Sequence, residues 1–512
     1  YAIRPQLDFK NPKCEDNIDS YYLFEAKEAI EEWFGALGLS DAADKIKSCL
    51  ILEDSDKQAH FIKYLVNEDS QDLDSIRIFN RLNKGKIGLT NAELIKALLI
   101  MDAERSKEYS SEQLAIDWNY MERQFQDESF WAFISGGKEY QDRIDILFDF
   151  MTQKGDEDDA DFSYRKFQNL YDFELKAGKD VILDTLWKKL THQTMREAWL
   201  EVKRMYDTLV AWYEDSMYYH YVGFLTTQGK TLHDIVTGIE KAKKDENGEE
   251  IKPWTREHIE TALKRLMAQT FNEMTAVRPE DIDGWTYNGN NDIRGLLLLM
   301  NVETYKQTKY QRFPFHSYIK EEWDIEHIDS QNEATGLRAS EDRLRWMRLT
   351  SDILMKEHHA IPNEKEAKAL AEELTSVVRE KTENGAIEDK DVKGLDSIYP
   401  TLYVKVVEHY SGKISEQQGN KHALGNLTLL DTALNRSYQD APFPYKRQCV
   451  MDTDLRGDKF VPMCTKNVFL KFYTNSNSSA SFLDSMRWNK QDQDNYLAAI
   501  HKVVDPIFET NI

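Results

Sequence analysis

The chain contains 512 residues, of which 41% are hydrophobic. This is longer than a domain with one compact core usually is, so two or three domains are predicted. Its formal net charge of −24 argues against broad contact with phosphate backbones, which lysine and arginine must neutralise. No apolar run approaches the roughly 20 residues that cross a bilayer, and the N-terminus shows no secretion signal. A cytoplasmic protein without a membrane segment is expected, with its four separated cysteines as reduced thiols.

The negative charge is distributed unevenly along the chain. Residues 401–512 contain 13 Lys and Arg against 12 Asp and Glu, so residues 1–400 hold 53 basic and 78 acidic side chains. A nearly neutral C-terminal region can approach DNA, whereas the rest of the chain would repel it. If any part of the chain contacts nucleic acid, this charge distribution favours the C-terminal end.

Helical patterns dominate the sequence. Glycine (22) and proline (11) are sparse, which favours a mainly α fold. Thr90 and Glu93 form a Thr-x-x-Glu capping box before an apolar run, which predicts a helix that begins after Thr90. Apolar residues recur at spacings of three and four over 111–150 and 180–224, which indicates long amphipathic scaffold helices. The aromatic residues within 212–224 are interpreted as core, with base stacking as the alternative.

Two short segments have compositions that packing alone does not explain. The first is 323–331, where an acid, Glu326, directly precedes His327. The second is 424–430, a β-prone Leu-Gly-Asn-Leu-Thr-Leu-Leu run followed by Asp431, the expected N-cap of a short helix. Neighbouring side chains on a strand point to opposite faces, so Glu326 and His327 can serve one site only where their strand ends or bends.

These segments contain the components of a ββα-metal (HNH, or His-Me finger) nuclease site. One strand carries an acid and a histidine, a second strand region carries Asn426, and the following helix carries Asn435. Phosphodiester hydrolysis needs a base for water and a hard cation for the developing charge. His327 suits the base, because an ordinary histidine titrates near pH 6.5. Mg²⁺, or Mn²⁺, prefers oxygen ligands and keeps several waters, so Glu326 and Asn435 suffice to hold it.

Both segments resemble the HNH domain of the GmrSD-type modification-dependent restriction nucleases and the related SspE-like phage-defence effectors. The family pattern is Glu-His-Ile-x-Pro-Gln, then Leu-Gly-Asn-Leu-Thr-Leu-Leu, then an asparagine and a Phe-x-x-Lys. In the same order this chain has Glu326-His-Ile-Asp-Ser-Gln331, the run 424–430, Asn435 and Phe443-Pro-Tyr-Lys446. The single departure, serine in place of proline, removes no group that does chemistry.

The resemblance implies a role for each matching position. His327 is implied as the general base, and Glu326 and Asn435 as the metal ligands. Asn426 is implied as the residue that orients the histidine, and Lys446 as the contact to the phosphate.

The resemblance continues upstream with less specific features. Parts of 79–97 and 118–144 look like the later part of the ParB-like domain that accompanies this nuclease. In the family that domain has an Asp-Gly-Gln-Gln-Arg motif linked to nucleotide binding or hydrolysis, and these 512 residues contain no such motif. A nucleotide site is therefore expected to depend on residues that precede Tyr1. Asn83 and Lys96 could line it, but solvated side chains are the simpler interpretation.

The expected organisation has three parts. Residues 1–150 are the later part of a ParB-like domain, 151–300 a helical middle region, and 301–512 the HNH domain. Because 98 residues separate the histidine from the asparagine of the second motif, a helical insertion over about 335–419 is expected to fold aside.

The predicted function is a metal-dependent DNA endonuclease or nickase of a bacterial restriction or anti-phage system, acting on modified DNA. The alternative is a DNA- or nucleotide-sensing binding subunit with a degenerate HNH fold, against which the intact motif residues argue. The sequence leaves self-association open. No other histidine has comparable neighbours, although His316 and His422 are close in sequence to the two segments.

Overall fold

The computed structural model forms two compact units, residues 1–88 and 89–512, which are described separately. The described residues are 18–37, 44, 89–155, 158–171, 195–244, 248–271, 278–289, 292–308, 311–329, 337, 340–357, 364–381, 392–411, 420–438, 441, 443–457, 459–473 and 488–511. In the first unit they consist of helix α1 (Ile18–Leu37) and Asp44. The boundaries expected near 150 and 300 remain predictions.

Helices make up most of the second unit, which confirms the mainly α class. Before the first strand they are α2 (Asn91–Ser106), α3 (Ser111–Phe125), α4 (Glu128–Ser135), α5 (Asp145–Thr152), α6 (Phe162–Tyr171), α7 (Met195–Glu214), α8 (Ser216–Thr227), α9 (Leu232–Lys241), α10 (Arg256–Gln269), α11 (Ile293–Gln307) and α12 (Phe315–Lys320). Then come β1 (Asp324–His327), α13 (Ser340–Glu357), α14 (Glu364–Lys381), α15 (Val392–Ser411), β2 (Leu427–Leu430), α16 (Thr432–Tyr438), α17 (Phe443–Arg456), α18 (Met463–Phe469) and α19 (Lys490–Phe508). None of these helices is both long and apolar enough to span a membrane.

Local sequence signals set several helix starts. The Thr90 hydroxyl accepts from the Glu93 amide at 3.2 Å, and the Glu93 carboxylate accepts from the Thr90 amide at 2.8 Å. The predicted capping box is therefore confirmed, and it satisfies two amides that the first turn of α2 leaves without helical partners. Asp431 likewise caps α16, because its carboxylate accepts from the Leu434 amide at 2.8 Å.

The expectation of long helices over 111–150 is wrong. The stretch is divided into α3, α4 and α5, and Asp127 caps α4 by accepting from the Phe130 amide at 2.7 Å. Gly136 ends α4 with a φ of +60°, and a Cβ there would lie 2.0 Å from the Thr226 carbonyl oxygen. Glycine is needed at this position both for the left-handed backbone and for the close approach of α8. The second stretch likewise breaks after Glu214, while residues 172–194 lie outside the described part.

The core of the second unit is rich in aromatic and aliphatic side chains. The aromatic residues of 212–224 are largely buried, among them Trp212, Tyr219, Tyr221 and Phe224, which confirms their interpretation as core. Helix α11 runs through the interior, because all five residues from Leu296 to Met300 are buried on every side. A helix that is apolar all round is expected only where it is surrounded by protein.

The two strands form one antiparallel sheet that lies on α11 and contacts α16 and α18. Helices α13, α14 and α15 lie between the strands in sequence and pack on one another. Close packing also explains the glycine of the second motif, because a Cβ on Gly425 would lie 2.6 Å from the Gln493 carbonyl oxygen of α19. Two cysteines of this region, Cys449 and Cys464, are buried free thiols, as expected.

Candidate functional site

The sheet brings the two motif segments side by side. Strand β1 ends at His327, which pairs with Leu427 of β2. The ladder continues beyond the strand, since the Ile328 amide donates to the Asn426 carbonyl oxygen at 2.9 Å. Hydrogen-bonded pairs alternate in an antiparallel ladder, so the carbonyl groups of Ile325 and His327 point away from β2. This outer edge of β1 is the place where the remaining motif residues meet the strand.

Two helices cover the outer edge with polar side chains. From α16, the Asn435 side-chain amide donates to the Ile325 carbonyl oxygen at 3.0 Å. From α17, the Lys446 ammonium donates to the His327 carbonyl oxygen at 2.7 Å and forms an ion pair with the Glu326 carboxylate. Glu326 and Lys446 are both almost fully buried, with 3% and 1% of their surfaces exposed. Three separate chain segments therefore converge on one strand edge.

Asn426 fixes the loop that follows the histidine. Its side-chain oxygen accepts from the Asp329 amide at 3.0 Å, and its side-chain nitrogen donates to the carbonyl oxygens of Asp329 and Lys421, at 3.0 and 2.8 Å. The residue is completely buried. The orienting role implied by the resemblance therefore has a physical counterpart, in which Asn426 holds the backbone two residues beyond His327.

The His327 imidazole lies near two other rings at the strand end. The centroid of the Tyr287 ring lies 4.6 Å away, and that of His422 lies 6.0 Å away, both roughly perpendicular to it. Burial, together with the nearby Lys446 ammonium, lowers the pKa of His327 to about 3. The imidazole is therefore neutral at neutral pH and has a lone pair that can accept a proton.

Tyr287 had no signal in the sequence that pointed to the site. It is brought there by an isolated β-bridge between Thr286 and Ala423, and its amide donates to the His422 carbonyl oxygen at 2.9 Å. Its side chain is 43% exposed, so one part of the ring faces solvent beside the imidazole. A bridge of two residues leaves no periodic pattern in the sequence. The contact of Tyr287 with His327 is therefore visible only in the fold.

Lys421 is a second cation of the site that sequence reasoning did not single out. Its ammonium pairs with the Asp329 carboxylate at 2.5 Å, and the two side chains are 22% and 25% exposed. Its charge also lowers the pKa of His327, after burial, Lys446 and His422, which places Lys421 near the imidazole. Lys421 is therefore accessible to an anionic ligand, while Lys446 is not accessible in this arrangement.

The structure brings together all five residues that the sequence singled out. Of the two nearby histidines, His422 lies at the site, whereas His316 lies 3.9 Å from the Glu128 carboxylate of α4. Within the described residues, no group of three or more His, Cys, Asp or Glu is arranged to hold a metal ion. The oxygen-bearing groups at the strand edge are instead the Glu326 carboxylate, the Asn435 side-chain amide and the backbone carbonyls of Ile325 and His327.

Comparison with protein families gives one match. Residues 361–502 match the model described as GmrSD restriction endonucleases, C-terminal domain. Over this range the chain is similar to the GmrSD C-terminal domain. The match bears out the expected family for this region, and it supports the coarser expectation of a restriction-endonuclease type of protein. The comparisons with curated proteins and with solved structures gave no match.

The GmrSD-type match covers one side of the site. It includes β2 and α16 to α18, and hence Asn426, Asn435 and Lys446, whereas Glu326 and His327 precede it. The histidine strand is therefore joined to the matched region by the sheet geometry described above. The ParB-like likeness of the upstream residues remains a prediction.

Proposed function

We propose that this chain is a metal-dependent DNA endonuclease or nickase whose site is a His-Me finger with His327 as the general base. The observation that carries the proposal is the convergence of three distant segments on β1. The histidine comes from 323–331, the buried asparagine from 424–430, and the outer-edge side chains from 435–446. Their residue types are those that phosphodiester hydrolysis needs, and the GmrSD-type match lies over two of the three segments.

His327 acts in the proposed reaction by accepting a proton from water. As the water oxygen bonds to phosphorus, the proton moves to the neutral imidazole and the bond from phosphorus to the leaving oxygen breaks. The imidazole is neutral in this arrangement, because burial and the Lys446 ammonium lower its pKa. Asn426 supports this step by fixing the following loop, and Tyr287 limits the positions that the ring can adopt. A positioned base is typically worth about 10²- to 10⁴-fold in rate.

The strand edge fits a hard divalent cation, Mg²⁺ or Mn²⁺. Two oxygens, from the Glu326 carboxylate and the His327 carbonyl group, already converge on a cation, the Lys446 ammonium. Asn435 lies at the next carbonyl along the same edge. Carboxylate, amide and carbonyl oxygens are the ligands that such ions prefer, with water completing the shell. A bound ion would supply charge stabilisation to the phosphate and the leaving oxygen.

The DNA is proposed to approach the C-terminal region. Residues 401–512 are almost neutral, while residues 1–400 carry 78 acidic against 53 basic side chains. Lys421 is the accessible cation beside the base, so it is assigned to the phosphate in addition to the implied role of Lys446. Modified DNA as substrate, a role in phage defence and a nucleotide bound through residues that precede Tyr1 follow from the resemblance and complete the proposal.

The test is cleavage of supercoiled plasmids that differ in base modification, with Mg²⁺, with Mn²⁺ and with EDTA. The wild type is expected to nick or linearise a modified plasmid only with metal, and His327→Ala is expected to lose the activity. His501→Ala is the matched control, because His501 belongs to the same unit but pairs with Asp283 and Asp505. Equal cleavage by His327→Ala and the wild type would overturn the assignment and favour a DNA- or nucleotide-sensing subunit.

A further inference from the structure

The buried ion pair between Lys446 and Glu326 is the most unusual feature of the site. Both side chains are almost completely excluded from water, at 1% and 4% exposure. A buried carboxylate is strongly destabilised unless a cation and hydrogen bonds compensate it. Lys446 supplies the cation, and its second bond to the His327 carbonyl oxygen fixes the ammonium at the strand edge. The pair therefore neutralises Glu326 within the protein.

Two of the three groups proposed to hold the metal, the Glu326 carboxylate and the His327 carbonyl group, also hold Lys446. Asn435, the third, lies at the Ile325 carbonyl, the next one along the same edge. An ammonium and a divalent ion cannot both take the same carboxylate oxygen at full strength, because like charges in a buried environment repel. Binding of one must weaken binding of the other.

We propose that Lys446 is the resident cation of the metal-free site and that a divalent ion displaces its ammonium from Glu326. This inference rests on the proposed function in one respect, since it takes Glu326 as a metal ligand. Metal binding is then an exchange of cations in which the Glu326 carboxylate always keeps a cationic partner. The ammonium released by the exchange becomes available to an anion, which reconciles its buried position with the phosphate role implied by the resemblance.

The first test compares metal affinity in the full chain, with Mn²⁺ titrated against wild type, Lys446→Met and Lys471→Met. The matched control removes another buried ammonium from the same unit, because Lys471 pairs with Asp492 at 2.7 Å and the two side chains are 10% and 5% exposed. Lys446→Met is expected to bind Mn²⁺ at least about tenfold more tightly than wild type, which corresponds to about 1.4 kcal/mol. Lys471→Met is expected to match the wild type. Unchanged or weaker binding by Lys446→Met overturns the inference.

The second test needs no substitution and therefore remains decisive if Lys446→Met does not fold. The wild type is exposed briefly to an amine-acylating reagent with and without Mn²⁺, and labelled lysines are quantified by mass spectrometry. Labelling of Lys446 is expected to rise several-fold when Mn²⁺ binds, while Lys471 stays protected. Constant or reduced labelling of Lys446 in the metal-bound protein contradicts displacement.

The two tests separate this inference from the proposed function. A wild type that binds Mn²⁺ and cleaves DNA, but keeps Lys446 protected, refutes only the exchange of cations. A wild type that binds no Mn²⁺ refutes both, since Glu326 then is no metal ligand.

Discussion

Replacement of Asn426 by alanine is the sharpest test of how the site is held together. The side chain makes three hydrogen bonds to backbone groups, at 3.0, 3.0 and 2.8 Å, and none of its surface is exposed. A hydrogen bond contributes about 1 kcal/mol net, and each buried partner left unsatisfied costs about 1 to 3 kcal/mol. Asn426→Ala is therefore expected to lower the free energy of unfolding by about 3 to 5 kcal/mol, measured by urea denaturation.

A second buried asparagine provides the control. Asn301 is 1% exposed, donates to the Leu297 carbonyl oxygen at 2.9 Å and accepts from the Cys464 amide at 3.2 Å, in the same unit but away from His327. With two bonds lost in place of three, Asn301→Ala is expected to lose about 2 to 3 kcal/mol of stability. Both variants should remain folded without denaturant if the wild type is of ordinary stability.

Cleavage kinetics then distinguish a positioning role from a structural one. Asn426→Ala is expected to lose about 10²-fold in kcat with little change in KM, because the loop behind the base is released while DNA contacts remain. Asn301→Ala is expected to cleave at the wild-type rate. The reasoning fails if folded Asn426→Ala also cleaves at that rate, or if both variants lose activity in proportion to their loss of stability.

Two further predictions concern charge. Burial raises the pKa of Asp145 to about 7, although its carboxylate accepts a hydrogen bond from the Ala92 amide. The stability that Asp145 contributes is therefore fully present below its unfolded pKa of about 3.9. That stability is lost as the pH rises towards 7. Asp145→Asn should therefore stabilise the chain increasingly from pH 4 to pH 7, by up to about 1.4 kcal/mol per pH unit in urea unfolding, and an effect independent of pH would contradict this. Lys421→Ala should weaken DNA binding, measured by fluorescence anisotropy with Ca²⁺ in place of Mg²⁺, and lower the salt slope by about 1. The control is Lys466→Ala, because the Lys466 ammonium of the wild type pairs with Asp454. Equal salt slopes for the two variants would show that Lys421 does not contact the DNA.

Features that depend on neighbours in sequence were predictable. The capping box at Thr90 and the N-cap at Asp431 are encoded within four residues, and the structure has both. The breaks in 111–150 were not foreseen, because the helical spacing of apolar residues persists across Asp127 and Gly136. Only the close approach of α8 reveals why a glycine must end α4 there.

The candidate site shows the same division. The motif order was sufficient to predict that Asn435 would lie beside the strand of Glu326 and His327, and its side-chain amide donates to the Ile325 carbonyl oxygen of that strand. The partner of Glu326 could not be predicted, because strand alternation gives the face of a side chain but not which helix covers the strand edge. Tyr287 was missed for a related reason, since its contact with the imidazole depends on a two-residue bridge to Ala423.

The long separation of the two strands has a consequence for when the site can form. Closing a loop of about 100 residues costs roughly 1.4 kcal/mol more in free energy, through lost chain entropy, than closing one of about 20. Strand β1 also gains its partner strand only after α13 to α15 have been synthesised. During synthesis β1 emerges well before β2, α16 and α17. The part of the chain made first therefore contains His327 without Asn426 and Asn435. A nascent or truncated chain that ends before residue 446 therefore lacks the buried partner of Glu326 and has no complete candidate site.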